Sequence, residues 1–416
     1  MMYLSRVVDQ ELEHLLTAMG AVVLEGPKAC GKTETARQIA ASEVRLDIDQ
    51  NARNAVSIDP SIILEGPTPR LIDEWQIAPV LWNHVRRAVD DRKMPGQFVL
   101  TGSAVPRDDE TRHTGAARIV RLRMRPMSLY ESGHSAGDVS VSRLLQGTPP
   151  RAPDPGVTID LLVERIAAGG WPAFVNQPLA SALTAIRAYV DEIRRTDIQR
   201  VEGIAHDPER VLMLMRSLAR NVATMVSMTT LAEDVGGPDQ PLARNSVTSY
   251  YDALTRLMVV EDQPAWAPHL RSRSRIRTTP RRHFVDPSLA VATLRATPER
   301  LLGDLNYLGF LFESLVVRDL RVYAQASDAQ VLHYKDNTDL EVDAIIETAD
   351  GRWAAFEIKL GTGAIDGAAA SLLKFAERID TKQCGRPQML GVIVGTGFAY
   401  MRPDGVAVVP IGTLGP

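Results

Sequence analysis

The chain has 416 residues, a formal net charge of −4 and a pI near 6.1. This length exceeds what one ordinary core holds and predicts two to three domains. The slight acidity excludes a surface coated with basic residues, so any contact with nucleic acid must use a local patch.

Cysteine usage and hydropathy indicate the compartment. The two cysteines, Cys30 and Cys384, have neither metal-binding nor disulfide spacing, which favours a reducing cytoplasm. The first residues lack the apolar region of a signal peptide, and no apolar run reaches the length that spans a bilayer. We therefore expect a cytoplasmic protein without a membrane partner.

A phosphate-binding loop is predicted at residues 26–33, directly after the apolar run 21–24. The segment fits G-x-x-x-x-G-K-[ST], in which glycines let backbone N–H groups surround phosphates at the start of a helix. Lys32 would reach the β- and γ-phosphates of ATP, and Thr33 would hold Mg²⁺. The alternative is a glycine-rich turn without a ligand. The candidate cofactor-binding residues here are Gly26, Pro27, Lys28, Ala29, Cys30, Gly31, Lys32, Thr33 and Thr35.

A short apolar strand ending in Asp73 and Glu74 reads as a Walker B strand. Asp73 would hold the magnesium shell, and Glu74 would polarise the water that attacks the γ-phosphate. Taken alone, an Asp-Glu pair after a strand is also typical of a helix N-cap. Its position downstream of the phosphate-binding loop favours the catalytic interpretation.

After a predicted helix at 81–89, the strand 97–100 ends in polar residues, and Thr101 or Ser103 is the candidate sensor of the γ-phosphate. Arg118 is a candidate arginine finger, acting on its own chain or on a neighbouring subunit. A solvated arginine at the start of the next strand is the alternative for Arg118.

The alternating strand and helix pattern predicts an α/β ATPase domain over residues 1–134. Glycines and prolines mark 135–156 as a linker or mobile crossing. Residues 157–290 are predicted to be mostly helical, with helices at 160–168 and 182–198. Two further helices, at 229–236 and 246–257, suggest a winged helix-turn-helix.

A strip of arginines follows these two helices at the spacing of one strand face, and it would form the wing. Such a strip suits phosphate contacts, with neighbouring polar residues approaching a groove. Protein contacts or simple solvation are the alternatives. The candidate nucleic-acid-binding residues are Arg244, Asn245, Thr248, Arg271, Arg273, Arg275, Arg277 and Arg281.

The last part, residues 291–416, carries a second candidate active site. Asp343 and Glu357 lie on consecutive predicted strands, Lys359 follows two residues later on the same strand face, and Glu313 lies on a preceding helix. Asp343 and Glu357 would coordinate Mg²⁺ or Mn²⁺, with Lys359 orienting water and Glu313 adding a ligand. These parts suit metal-dependent phosphodiester hydrolysis. A surface ion pair, or a nuclease fold kept for binding alone, would also account for them.

Several short motifs add a resemblance that covers nearly the whole chain. The chain resembles a bacterial and archaeal family of AAA-type P-loop ATPases with a helical, winged-helix middle and a C-terminal α/β domain of restriction-endonuclease-like, PD-(D/E)XK type. This resemblance implies ATP and Mg²⁺ as cofactors and a ring or smaller homo-oligomer. The usual glycine-arginine pair after the sensor stands here as Ala117-Arg118. The motifs on which the resemblance rests are residues 26–33, 71–76, 100–103, 126–129, 169–172 and 283–286, together with Glu313, Asp343, Glu357 and Lys359.

Three hypotheses follow for function. The leading one is an ATPase that couples ATP turnover to remodelling or processing of branched or damaged DNA, as in DNA repair. The second is a nucleotide-dependent switch that acts through a protein partner in regulation, toxin control or phage defence. The third is a nuclease gated by ATP.

Overall fold

The structure is a computed structural model that describes residues 3–103, 114–198, 207–237, 242–268 and 279–416. The arginines 271, 273, 275 and 277 of the predicted wing lie outside these ranges. The described chain forms two compact units, the first built mainly from residues 3–126 with the short segment 252–259, and the second from most of the remainder. The four domains predicted from the sequence stay a prediction. No helix in the described ranges is both long and apolar enough to cross a membrane.

The first unit contains a five-stranded sheet with strand order β2-β3-β4-β1-β5, and every neighbouring pair is parallel. Its strands are β1 (Ala21–Glu25), β2 (Ser42–Arg45), β3 (Arg70–Asp73), β4 (Phe98–Gly102) and β5 (Ile119–Arg123). Its helices are α1 (Val8–Ala18), α2 (Lys32–Arg37), α3 (Gln50–Ile58) and α4 (Leu81–Arg92).

The two faces of this sheet are buried under different helices because successive strand residues point to opposite sides. In β1, Ala21 and Val23 belong to a core with α3 and α4, whereas Val22 and Leu24 belong to a core with α1 and α2. Parallel strands put all their carboxyl ends at one edge. The loops after β1, β3 and β4 therefore meet at that edge.

The middle of the chain is helical, as the sequence predicts. Its helices are α5 (Val141–Leu144), α6 (Ile159–Ala168), α7 (Leu179–Glu192), α8 (Pro208–Arg220), α9 (Met228–Gly236), α10 (Arg244–Arg256), α11 (Pro287–Thr293) and α12 (Pro298–Leu302). A π-helical turn, Ile193–Asp197, continues α7. Every residue of α11 is buried, and this helix packs against α6, α7 and α8. The helices α9 and α10 match the predicted pair, but the wing that would complete a winged helix lies outside the described residues.

The C-terminal part is a six-stranded mixed sheet of order β11-β12-β10-β9-β8-β7. Its helices are α13 (Leu305–Gln325), α14 (Ile365–Arg378) and α15 (Thr381–Cys384). Its strands are β7 (Ala329–Lys335), β8 (Glu341–Thr348), β9 (Trp353–Lys359), β10 (Met389–Val394), β11 (Tyr400–Met401) and β12 (Ala407–Pro410). The hairpin β8–β9 is antiparallel as predicted, whereas β9, β10 and β12 are parallel to one another.

The glycine- and proline-rich segment 135–156, predicted as a linker, is hydrogen-bonded to the carboxyl terminus. Its strand β6 (Val139–Ser140) pairs in parallel with β13 (Leu414–Gly415). Ala152 forms a bridge with Ala399, and the Ser135 hydroxyl donates to the Leu414 carbonyl at 2.6 Å. Glycines and prolines here shape turns of a packed segment, and its role as a linker between domains stays a prediction.

A buried ion network organises the second unit. Arg318 of α13 donates from Nη1 to Asp286 at 2.8 Å and from Nη2 to Asp319 at 2.7 Å. Asp286 and Asp319 are fully buried, and Arg318 is 3% exposed. Burial opposes the charge on Arg318, but the two carboxylates raise its pKa above the usual range. The guanidinium of Arg318 and the two carboxylates thus all have charged partners inside the protein.

The same network binds the short motifs 126–129, 169–172 and 283–286. Asp286 caps α11 through the Ser288 N–H and accepts from the Gly170 N–H at 2.9 Å. Asp319 accepts from the Leu129 N–H at 3.0 Å. A Cβ at Gly170 would lie 2.0 Å from the Met127 carbonyl oxygen, so only glycine fits there. These motifs are therefore parts of one structural junction.

We predict that Arg318→Met destabilises the second unit by about 3–5 kcal/mol, because Asp286 and Asp319 would remain buried without their counter-charge. Chemical denaturation monitored by circular dichroism measures this change. The matched control is Arg352→Met, which removes an exposed pair with Asp350 and should change little. Equal losses of unfolding free energy in the two variants would contradict the prediction that the buried network stabilises the second unit more than an exposed ion pair does.

Candidate functional sites

The loop after β1 has the backbone conformation that a phosphate-binding loop requires. Ala29 and Gly31 have positive φ angles of 61° and 105°. A Cβ at Gly26 would meet the Met124 carbonyl oxygen at 2.3 Å, so the residue must be glycine. The Arg6 guanidinium donates to the Cys30 carbonyl at 2.8 Å and braces the loop from the amino-terminal segment.

Lys32, at the start of α2, places a buried ammonium group inside this loop. Its Nζ donates to the Gly26 carbonyl at 2.9 Å and to the Pro27 carbonyl at 2.8 Å. Among the ion pairs of the described residues, none joins Lys32 to a carboxylate. A buried cation held by neutral carbonyl groups fits an anionic phosphate ligand.

The magnesium candidates lie together at the carboxyl ends of β1 and β3. The Thr33 hydroxyl donates to Asp73 Oδ1 at 2.8 Å, and Thr101 donates to the same oxygen. Hydroxyl and carboxylate oxygens are ligands that Mg²⁺ prefers. Because β4 lies between β1 and β3, Thr101 stands next to Asp73 as well as beside the loop.

Glu74 is held by two polar neighbours. Its backbone lies in the left-handed region with φ of 56°. The Ser103 hydroxyl donates to Glu74 Oε2 at 3.2 Å, and the Gln76 side-chain amide donates to the same oxygen. The amide of Gln76 also donates to the Ser103 hydroxyl at 3.3 Å. The two sensor candidates thus contact different carboxylates, Thr101 the Asp73 side chain and Ser103 that of Glu74.

Gln76 was not predicted as a site residue, although it lies only two positions after Glu74. Lys28 and Thr35, predicted as cofactor-binding, have other partners here. Lys28 forms an ion pair with Asp197, and the Thr35 hydroxyl is 2.9 Å from the Tyr3 hydroxyl. The contacts of Lys28 with Asp197 and of Thr35 with Tyr3 join residues far apart in the sequence, so the local sequence pattern could not predict them.

Arg118 lies at the opposite edge of the sheet from the phosphate-binding loop. Its carbonyl accepts from Ala21 at 3.0 Å, and its guanidinium pairs with Asp90 at 2.8 Å. Gly26 is five residue steps beyond Ala21, which is about 16 Å at the rise of a strand. The expectation that Arg118 acts on the nucleotide of its own chain is therefore wrong, and its action on a neighbouring subunit stays a prediction.

The second cluster brings together all four residues predicted from the C-terminal sequence. The register of β8 and β9, in which Ala344 pairs with Phe356, places Asp343 and Glu357 as the next pair. Lys359 Nζ lies 3.0 Å from Asp343 Oδ2 and 2.7 Å from Glu357 Oε2. Glu313 of α13 joins the group through Arg281, whose Nη1 pairs with both Glu313 and Asp343.

Arg281 occupies this cluster, in contrast to the prediction that it contacts nucleic acid. Its Nη1 lies 3.0 Å from Asp343 Oδ1 and also pairs with Glu313, while Nη2 lies 2.9 Å from Glu341 Oε2. Only 4% of Arg281 is exposed. The residue is thus unavailable to phosphates of a nucleic acid, because three carboxylates hold it inside the protein.

Burial and mutual repulsion determine the protonation of the cluster. Burial, with repulsion from Asp343, raises the pKa of Glu313 and of Glu357 to about 8 each. Burial also opposes ionisation of Asp343, but Lys359 and Arg281 hold its pKa below the usual range. Asp343 is therefore the carboxylate that keeps its charge at neutral pH.

A divalent metal ion does not fit this arrangement. Both oxygens of Asp343 already have cationic partners, Arg281 and Lys359. Among the described residues, no group of three or more His, Cys, Asp or Glu side chains is disposed to hold a metal ion. The expected Mg²⁺ or Mn²⁺ at Asp343 and Glu357 has no place beside two resident cations.

The remaining nucleic-acid candidates lie on α10. Arg244 and Asn245 are exposed, and Thr248 is half-buried with its hydroxyl donating to the Arg244 carbonyl at 2.9 Å. These residues stay predicted contacts.

Known domain families match most of the chain, and one of them covers the residues of the first site. The family described as AAA domain matches residues 19–133. Two families described as domains of unknown function, DUF8612 and DUF4143, match residues 159–300 and 308–414. The first match spans the loop, Asp73, Glu74 and the sensor candidates, and supports an AAA-type P-loop ATPase domain with ATP and Mg²⁺ as its cofactors.

The chain is also similar to two mycobacterial proteins and one archaeal structure. The uncharacterized protein Rv2008c of Mycobacterium tuberculosis and the uncharacterized protein Mb2031c of Mycobacterium bovis are each 25% identical over 354 residues, covering 84% of this chain and 72% of theirs. The Walker-type ATPase PABY2304 of Pyrococcus abyssi is 13% identical, with a TM-score of 0.41, covering 69% of this chain and 94% of that one.

We predict that Ser103→Ala lowers kcat for ATP hydrolysis roughly tenfold and leaves KM nearly unchanged, because Glu74 loses a hydroxyl that orients it. Steady-state release of phosphate measures both constants. Ser57→Ala, on the exposed side of α3 in the same unit, is the control and should retain wild-type turnover. A changed KM with unchanged kcat would instead place Ser103 in nucleotide binding.

The second cluster predicts a loss of stability as pH rises. Glu313 and Glu357 hold protons in the folded state up to a pKa of about 8, whereas the unfolded chain releases them near pH 4.5. Stability therefore falls as pH increases between these limits, by about 1 kcal/mol from pH 7 to pH 8 for each glutamate. The Glu357→Gln variant should show a shallower decline in urea unfolding. An identical pH slope in this variant and the wild type would contradict the assignment.

Proposed function

We propose that the chain is an AAA-type ATPase that hydrolyses ATP at the edge of the first sheet and uses turnover to change the state of a bound partner. The observation that carries this proposal is the continuous polar chain from Thr33 through Asp73 and Thr101, next to Glu74 and Ser103. It joins the loop, the Walker B residues and the sensor candidates within one hydrogen-bonded set.

The phosphate-binding loop and α2 would bind the phosphates of ATP. Lys32 exchanges the carbonyl groups of Gly26 and Pro27 for β- and γ-phosphate oxygens. Thr33 and Asp73 would hold Mg²⁺, which supplies positive charge that offsets the charge of the phosphate oxygens when it is bound. The exchange costs little because Lys32 is already desolvated and oriented.

Glu74 would promote the hydrolysis of ATP. Its carboxylate orients and polarises the attacking water, while Ser103 and Gln76 hold it in one position. Thr101 contacts Asp73, so a change at the phosphate would reach β4 through this hydroxyl. Removing Glu74 should leave nucleotide binding intact and stop turnover.

The partner is DNA in the leading form of this proposal, through remodelling or processing of branched or damaged duplexes. The exposed Arg244 and Asn245 on α10 support it, together with the arginines at 271, 273, 275 and 277 of the sequence. Backbone contacts of this kind would be salt-sensitive. A homo-oligomer in a reducing cytoplasm belongs to the proposal, with Arg118 serving the site of a neighbouring subunit.

The second candidate is a nucleotide-dependent switch that acts through a protein partner in regulation, toxin control or phage defence. The burial of Arg281 among carboxylates favours it, because this arginine is lost from the basic strip. The net charge of −4 adds no general attraction for nucleic acid.

A nuclease gated by ATP has less support. The order α13, β7, β8, β9, α14, β10 and the assembled set of Glu313, Asp343, Glu357 and Lys359 suit the restriction-endonuclease-like fold that the sequence resembles. Catalysis of that kind needs a metal ion at the carboxylates, and the resident cations oppose its binding.

The first experiment measures ATP hydrolysis with and without single-stranded, duplex and forked DNA. We expect measurable turnover in the wild type and at least a hundredfold loss in Glu74→Gln and Lys32→Ala, with nucleotide binding retained in Glu74→Gln alone. Full turnover in both variants would contradict the ATPase proposal.

The DNA titration distinguishes the two forms of the proposal. Stimulation by DNA that disappears in Glu74→Gln supports a DNA-coupled ATPase. Slow turnover that no DNA changes supports the switch. Arg244→Ala tests the predicted contact and should weaken any stimulation and reduce its salt dependence, whereas Arg352→Ala, in the second unit but outside α10, is the control.

A further inference from the structure

The carboxylate cluster of the C-terminal sheet has its own cations. Arg281 contributes one guanidinium to Glu313, Asp343 and Glu341, and Lys359 contributes an ammonium to Asp343 and Glu357. Asp343 accepts on one oxygen from Arg281 and on the other from Lys359 and the Ile358 N–H at 2.9 Å. Its binding capacity is therefore used within the chain.

The position of Arg281 is fixed by its backbone. Its N–H donates to the Gln263 carbonyl at 3.1 Å, and its own carbonyl accepts from the Gln263 N–H at 2.9 Å. The side-chain amide of Gln263, fully buried, donates to the Asp343 carbonyl at 2.9 Å and to the Leu332 carbonyl at 3.0 Å. The segment that carries the guanidinium is thus hydrogen-bonded to the strands that carry the carboxylates.

The cluster needs no added ion to offset its negative charge, because two of its four acidic side chains, Glu313 and Glu357, hold protons up to a pKa of about 8. Four carboxylates, those of Glu313, Glu341, Asp343 and Glu357, face Arg281 and Lys359, and Lys335 also pairs with Glu341. A divalent ion would have to enter against the buried charge of Arg281 and the half-buried charge of Lys359, and it would have to break their ion pairs with Asp343. Removal of Arg281 would instead leave buried carboxylates with a strong need for a cation.

We propose that Arg281 is the resident cation of this cluster and takes the place of the divalent metal ion that carboxylates in this arrangement would otherwise bind. The C-terminal domain then keeps a folded carboxylate centre without metal and without phosphodiester hydrolysis. Replacing Arg281 with an uncharged residue opens the centre to a divalent cation.

The test compares Mn²⁺ binding by the nucleotide-free full chain in three forms: wild type, Arg281→Met, and Arg281→Met with Asp343→Asn. Electron paramagnetic resonance of free Mn²⁺ counts the bound ions. Any weak binding at Thr33 and Asp73 is common to all three proteins. We expect Arg281→Met to bind one ion more than the wild type and the double variant to lose it.

Thermal unfolding provides a second reading of the same proteins. Without metal, Arg281→Met should unfold on the order of 10 °C below the wild type, because the carboxylates have lost a buried partner. Millimolar Mn²⁺ should restore part of this loss in Arg281→Met and none in the double variant. No gain in Mn²⁺ binding and no restoration by Mn²⁺ would overturn the proposal.

A comparison of the wild type with Asp343→Asn tests the proposal if Arg281→Met does not fold. Wild type and Asp343→Asn should bind the same number of Mn²⁺ ions, since Asp343 is not a metal ligand while Arg281 is present. One ion more in the wild type than in Asp343→Asn, or Mn²⁺-dependent DNA cleavage by the wild type, would overturn the assignment of Arg281.

Discussion

The buried pairing of Arg318 with Asp286 and Asp319 is the interaction on which the second unit depends. A charge removed from water destabilises a fold unless a partner stands beside it, and here each partner also binds backbone. Asp286 caps α11 and holds Gly170, and Asp319 holds Leu129. One ion network thereby sets the paths of three chain segments that are far apart in sequence.

The same constraint separates the two candidate sites. Lys32 is a buried cation that donates to neutral carbonyl groups, so a phosphate group can form an ion pair with it. Arg281 is a buried cation that pairs with three acidic side chains, so its charge is already neutralised within the protein. The first arrangement suits a site that binds and turns over a ligand. The second suits a domain that keeps the framework of a metal site without its metal.

Local sequence patterns predicted what short stretches determine. The loop motif, the strand ending in Asp73 and Glu74, and the hairpin that pairs Asp343 with Glu357 each follow from spacing along the chain. The role of Arg281 could not be predicted in this way. Alternation with its neighbours suggested an exposed strip, but its partner Glu313 lies thirty-two residues away. Gln76 is the last residue of the motif at 71–76, but a neutral amide gives no sign in the sequence that it would contact Glu74. The distance of Arg118 from the loop follows from the pairing of β5 with β1 as parallel neighbours, which the local sequence around Arg118 does not reveal.

The most direct test of this account is a crystal structure with Mn²⁺ and a non-hydrolysable ATP analogue, in which anomalous scattering locates the metal. We predict one peak next to Thr33 and Asp73, with Lys32 against the phosphates, and none among Glu313, Asp343 and Glu357. Mn²⁺ at Asp343 and Glu357 with Arg281 displaced would contradict the account, as would an ATP analogue bound without metal at Thr33 and Asp73.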